Sequence, residues 1–189
     1  EGIVFVPDAS LTSIGFRNQA GQLYTSTKGM GGLMFIAHQD EGYVWVFDLN
    51  PNTNNDFLYV GKYRTSQSES CDLSFDRTTG MLYILHNITG SNTIEVTDLL
   101  STVSGGERKF NTVSEFSVTN PNDGNDNIEG FALTPKCAST GAASAWLCRD
   151  VESNEDDAIL QDALRWFSSF NAVGDCSALS NQDFVAAHL

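Results

Sequence analysis

The sequence predicts an all-β fold, a β-propeller-like meander of about three four-stranded blades, and two observations predict it. Short segments rich in aromatic and β-branched residues recur between turns of Asn, Asp, Thr and Gly. The same order of segments then restarts at Glu1, Cys71 and Glu129. These starts lie further apart than the roughly 40–50 residues of ordinary blades, which leaves room for inserted loops.

Each repeat opens on a polar or small pair followed by apolar residues and a Pro or charged turn: Glu1–Pro7 (EGIVFVP), Cys71–Arg77 (CDLSFDR) and Glu129–Pro135 (EGFALTP). A second run follows in Met34–His38, Leu82–His86 and Ala145–Arg149, with an aromatic at its second position and a cation-capable residue at its fifth. The third run is Val44–Leu49, Ile94–Leu99 and, less cleanly, Leu164–Phe167; the fourth appears at Phe57–Val60 and Val113–Val118. Asp76–Gly80 (DRTTG) and Asp40–Gly42 (DEG) supply turns. A β-sandwich would not need this repeated order, and solenoid repeats are shorter. After Arg149, Ser153–Asp156 reads as a capping box, so a helix over 154–167 competes with a strand at 163–167. The repeat order favours the strand, with a short helical insert near 154–162 before it.

The chain, 1–189, reads as a single propeller-like domain with repeat starts near 1, 71 and 129. A ring needs about four blades, so the meander is either part of a longer chain or completed by self-association or by another chain, which would also cover its edge strands. Twenty-four acidic against ten basic residues give a net charge of −14, which argues against nucleic acid as a partner. No apolar run approaches the roughly 20 residues of a membrane span. The four cysteines, Cys71, Cys137, Cys148 and Cys176, have no CxxC spacing. Three pairings are open, and a 137–148 bridge across a hairpin is geometrically easy. Asn87-Ile-Thr is a glycosylation sequon. An even cysteine count, a sequon and few lysines together predict an extracellular or cell-surface protein. The chain opens on Glu1 rather than Met, so a secretion signal is expected to be already removed or to lie outside this sequence.

The segment Asn127–Pro135 (NIEGFALTP), then Cys137, Trp146–Asp150 (WLCRD), Asp162–Arg165 (DALR) and Cys176, resembles the phytase-like esterase propellers, the group named for an esterase-like activity of phytase. The likeness is close over about 50 residues; Leu73–Ile84 fits the blade pattern of that group and of many other propellers. It implies an extracellular propeller of cation-dependent phosphoesterase ancestry, and it suggests a Cys137–Cys176 bridge that leaves Cys71 with Cys148. Two departures stand out: Arg149 replaces the first of two acidic residues after the Trp-containing strand, and Asp162 replaces a His before Ala-Leu-Arg.

Superposing the repeats places Glu1 and Glu129 at equivalent strand starts, with Cys71 between them in order. Two such carboxylates, with Asp150, suit a hard cation such as Ca²⁺, or they satisfy backbone N–H groups locally. His38, His86 and Arg149 become repeat-equivalent and form a cationic rim able to receive phosphate, attacked by water on a metal held by Glu1, Glu129 and Asp150. Asp48–Asp56 and Asn120–Asp126 alternate oxygen side chains as calcium loops do, but both lack the closing Glu, and Asx-turns explain them. The run Glu152, Glu155, Asp156 and Asp157 reads as a solvated loop. No Gly-x-Ser-x-Gly elbow, P-loop or dinucleotide fingerprint is present. The expected function is a non-catalytic, propeller-type binding or self-assembling structural subunit, and the competing one a Ca²⁺-dependent phosphomonoesterase.

Overall fold

The computed structural model describes residues 2–88, 92–118, 127–138, 142–149 and 164–176. The chain is all-β, as its sequence predicts, with strands ordered as consecutive antiparallel meanders. The first comprises β1 (Ile3–Pro7), β2 (Gly32–His38), β3 (Tyr43–Leu49) and β4 (Phe57–Arg64). The second comprises β5 (Asp72–Asp76), β6 (Met81–His86), β7 (Thr93–Ser104) and β8 (Glu107–Ser117). The third has three strands among the described residues, β9 (Ile128–Leu133), β10 (Ala143–Arg149) and β11 (Leu164–Phe170). Where helix and strand competed after Arg149, residues 164–170 form the strand; the expected helical insert near 154–162 lies outside the described residues.

The opening strands lie side by side, β1 against β5 and β5 against β9. At the far side, β4 and β8 touch through one parallel pair, Arg64 with Lys109, which makes the first two meanders an eight-stranded sheet. One core fills the space between first and second meanders, around Leu33, Phe35, Val44, Val46, Tyr63, Leu82, Ile84 and Phe110. A second core fills the space between second and third, around Cys71, Tyr83, Leu85, Val96, Phe131 and Leu147. The second meander is therefore covered on both faces.

Strand alternation explains how. Successive side chains point to opposite faces, so Leu82 and Ile84 enter the first core while Tyr83 and Leu85 enter the second. A strand covered on both sides reads as an unbroken apolar run, and Leu82–His86 is buried throughout. Each such side chain contributes about 1.5–3 kcal/mol by leaving water. Stacked rings of Tyr63 and Phe110, 4.6 Å apart, brace the β4–β8 contact.

Among the described residues one α-helix escaped sequence reading, α1 (Asp8–Ile14). Seven residues are too few to show helical periodicity. Its end is nonetheless well specified: Gly15 takes φ 77°, and the Phe16 N–H bonds back to the Leu11 carbonyl. Leu11 and Phe16 then pack together in the first core. The β7–β8 hairpin also runs longer than expected, turning at Gly105-Gly106 and bulging at Leu99, whose φ of 61° is held by a Thr97 Oγ1 bond to its N–H.

Candidate functional site

The meeting point of β5 and β9 is the best-built polar site. Asp72 stands there because β5 opens beside β9, and its carboxylate accepts from its neighbour Leu73 N (2.8 Å) and across the meanders from Phe131 N (2.7 Å). The packing leaves no room for side chains around it: a Cβ on Gly2 would collide with the Asp72 carboxylate and the Leu73 backbone. Burial raises the Asp72 carboxyl above its ordinary range, the two N–H bonds offset part of this, and the Glu129 charge adds to it. Glu129 is half-buried on β9 and accepts from Asn87 Nδ2 at 3.4 Å. The same amide also donates to Asn127 Oδ1. A glycan on Asn87 would leave Nδ2 a single N–H, so the two bonds could not both persist.

The repeat alignment made Cys71 the counterpart of Glu129, but the carboxylate at that junction comes from Asp72. The one-residue offset flips the side chain to the other face. Cys71 instead turns its thiol into the second core, donating to the Leu85 and Ile128 carbonyls at 3.3 and 3.5 Å. Burial, with Glu129 and Asp72 nearby, pushes that thiol up to about 12. Glu1 and Asp150, the other expected metal ligands, lie outside the described residues. Among the described residues no group of three or more His, Cys, Asp or Glu side chains is placed to hold a metal.

The expected cationic rim draws on unlike environments. His38 is exposed at the end of β2, its Nδ1 2.9 Å from the Asp40 carbonyl and its ring against Trp45. Arg149 is half-buried at the end of β10. His86, by contrast, is wholly buried: Nε2 lies 3.0 Å from Glu95 Oε2 and Nδ1 2.5 Å from the Glu69 carbonyl. In this conformation a phosphate from solvent cannot reach its ring. Glu95 also accepts from Ser66 N and Thr112 Oγ1, so the pair fastens the link between the meanders to β7 and β8. Sequence reading passed over Glu95; the available signal was a lone acid inside an apolar strand whose β6 neighbour ends in His.

The Asp48–Asp56 loop is filled by the protein itself. Asp48 is fully buried and accepts from the Tyr24 hydroxyl and from the Thr27 N–H and hydroxyl, while Asp56 pairs with Lys28 and Asn50. Asn50 Oδ1 accepts from Asn52 N, an Asx-turn. Asn120–Asp126 and the Glu152–Asp157 acidic run lie outside the described residues. A polar cleft of about 570 Å³ opens at the β4–β8 seam beside Arg64, Ser66, Glu107 and Lys109. Lys62 and Arg64 reach Glu107 at 3.8 and 3.9 Å, which offsets their charge.

Cys137 and Cys176 are bridged, with Cα atoms 5.5 Å apart. The expected partner bridge does not form: Cys71 and Cys148 are free thiols. Alternation along β10 is the reason, since Leu147 faces the second core and Cys148 the opposite side, away from Cys71. That opposite side of the third meander carries Trp146, Trp166 and Leu164, in register across β10 and β11, with Leu164 and Trp166 each 64% exposed. The outer side of the first meander is similarly open: Ile36, Trp45, Phe47 and Tyr59 share it, and Ile3 and Phe57 stand more than half exposed.

No protein-family model matches this sequence, and neither the curated proteins nor the solved structures include a match.

Proposed function

We propose that this chain is a non-catalytic, propeller-type structural subunit that works outside the cell and completes itself by self-association. The observation that carries the reading is the contrast between meanders: the second has both faces covered, while the first and third each leave an aromatic face open. Contiguous exposed apolar patches of this kind mark interaction sites. The Cys137–Cys176 bridge and the Asn87 sequon are consistent with an oxidising, extracellular setting. Native mass by light scattering, under non-reducing conditions, tests it. A discrete assembly is expected; a monomer across the micromolar range would reject the reading.

A second reading, a Ca²⁺-dependent phosphomonoesterase of the phytase-like kind, is favoured by Asp72 and Glu129, whose charges meet where β5 and β9 open. A cation there would relieve their repulsion and polarise a phosphate oxygen. Ca²⁺ takes about 6–8 oxygen ligands, and two carboxylates fit only part of that set, so this reading stands second. Phosphomonoester turnover that requires added Ca²⁺ would raise it to first.

A further inference from the structure

We infer that the open face of the first meander receives the open face of the third meander of a second copy, so that copies join head to tail as successive meanders do within one chain. The inference rests on the assembly reading above and fixes its geometry. Second strands of the repeats align residue by residue. Phe35, Tyr83 and Trp146 are equivalent; Phe35 packs into the core shared with the following meander, and Tyr83 does the same one meander later. Trp146 points the same way, and among the described residues no following meander packs against it. On the reverse faces, Leu82 and Ile84 pack toward the preceding meander, as Ala145 and Leu147 do in the third. Their counterparts Met34 and Ile36 are the residues left half-buried on the outer side of the first meander.

Each internal contact therefore joins a following face to a preceding face. Among the described residues one of each is still open, on the third and first meanders. Pairing like with like, first on first or third on third, would create a contact used nowhere inside the molecule. Pairing unlike faces repeats the existing interface, and it brings Trp146, Trp166 and Leu164 against Trp45, Phe47, Phe57 and Tyr59. Aromatic side chains of this kind dominate binding energy at protein interfaces. Two copies joined at both junctions close a ring, and closure leaves no aromatic face exposed.

The test uses the full chain and two exposed-face variants, Phe57→Lys/Tyr59→Lys on the first meander and Leu164→Glu/Trp166→Glu on the third, with circular dichroism to show that each is folded. Both should fall to monomer mass, with the dissociation midpoint shifted by about tenfold or more. An equimolar mixture should regain a two-copy species, because one wild-type face of each kind survives in it. Failure of the mixture to recover, or either variant keeping the wild-type mass, overturns the head-to-tail geometry while leaving self-assembly standing. A monomeric wild type overturns both.

Discussion

His86 Nε2 and Glu95 Oε2 lie 3.0 Å apart with both side chains sealed from solvent. The opposite ring nitrogen faces the Glu69 carbonyl, which can only accept a hydrogen bond. Both ring nitrogens are thus met by partners inside the fold, Nδ1 also lying 3.5 Å from the Ser70 hydroxyl. The pair joins residues 66–69, which link the first two meanders, to β6 and β7. A group that sequence order suggested for catalysis is thus an internal fastening.

Removing one member should cost far more than removing both. His86→Leu strands a buried carboxylate and is expected to destabilise the fold by about 3–5 kcal/mol. His86→Leu/Glu95→Leu removes the stranded charge as well, and should be clearly less destabilised than His86→Leu. Urea unfolding of wild type, both single variants and the double variant closes the cycle. A strictly additive double variant would exclude the coupling.

Glu95 also sets an acid limit. Burial raises its carboxyl, but the bonds from His86, Ser66 N and Thr112 outweigh burial and hold it below its ordinary value. A depressed acid contributes stability that is present above its unfolded value, about 4.3, and is lost as pH falls through the lower folded value. Wild type should therefore lose stability faster than Glu95→Gln as pH drops from about 5 towards 3. Thermal melts at matched pH measure the difference, and parallel curves would refute it.

The strands were legible in sequence because period and turn chemistry are local. Leu82–His86 announced a buried strand, and Asp76–Gly80 a turn, by residue type alone. What stayed hidden depended on register and on distant partners. Cys71 and Asp72 differ by one position, yet one faces a core and the other joins β5 to β9. His86 looked like a strand-end rim residue because nothing local revealed that Glu69 and Glu95 would enclose it. Aligned repeats predicted equal positions for His38 and His86, but among the described residues only the second meander has neighbours on both sides.

The two free thiols should behave differently. Cys71 is buried with its thiol pushed up to about 12, whereas Cys148 is exposed. A disulfide-exchange reagent should label one thiol in the native protein and two after unfolding without reductant. Labelling of both at equal rates in the native state would contradict the placement of Cys71. Replacing the bridge by Cys137→Ser/Cys176→Ser should lower stability by about 2–4 kcal/mol, read by the same urea titration.

Asp72 should respond to pH in the opposite sense to Glu95. Its folded carboxyl is raised, chiefly by burial, so ionisation opposes folding and stability from this group increases as pH falls through the raised folded value to the unfolded one. Asp72→Asn cannot ionise and should lack that increment, while Asn Oδ1 still accepts from Phe131 N. Asp72→Ala removes the acceptor and leaves a buried N–H, at a cost of about 1–3 kcal/mol. Hydrogen exchange at the Phe131 amide separates the two effects. It should remain protected in Asp72→Asn and accelerate in Asp72→Ala, since the acceptor and not the charge fastens β5 to β9. Equal acceleration in both variants would make the charge essential and reverse that assignment.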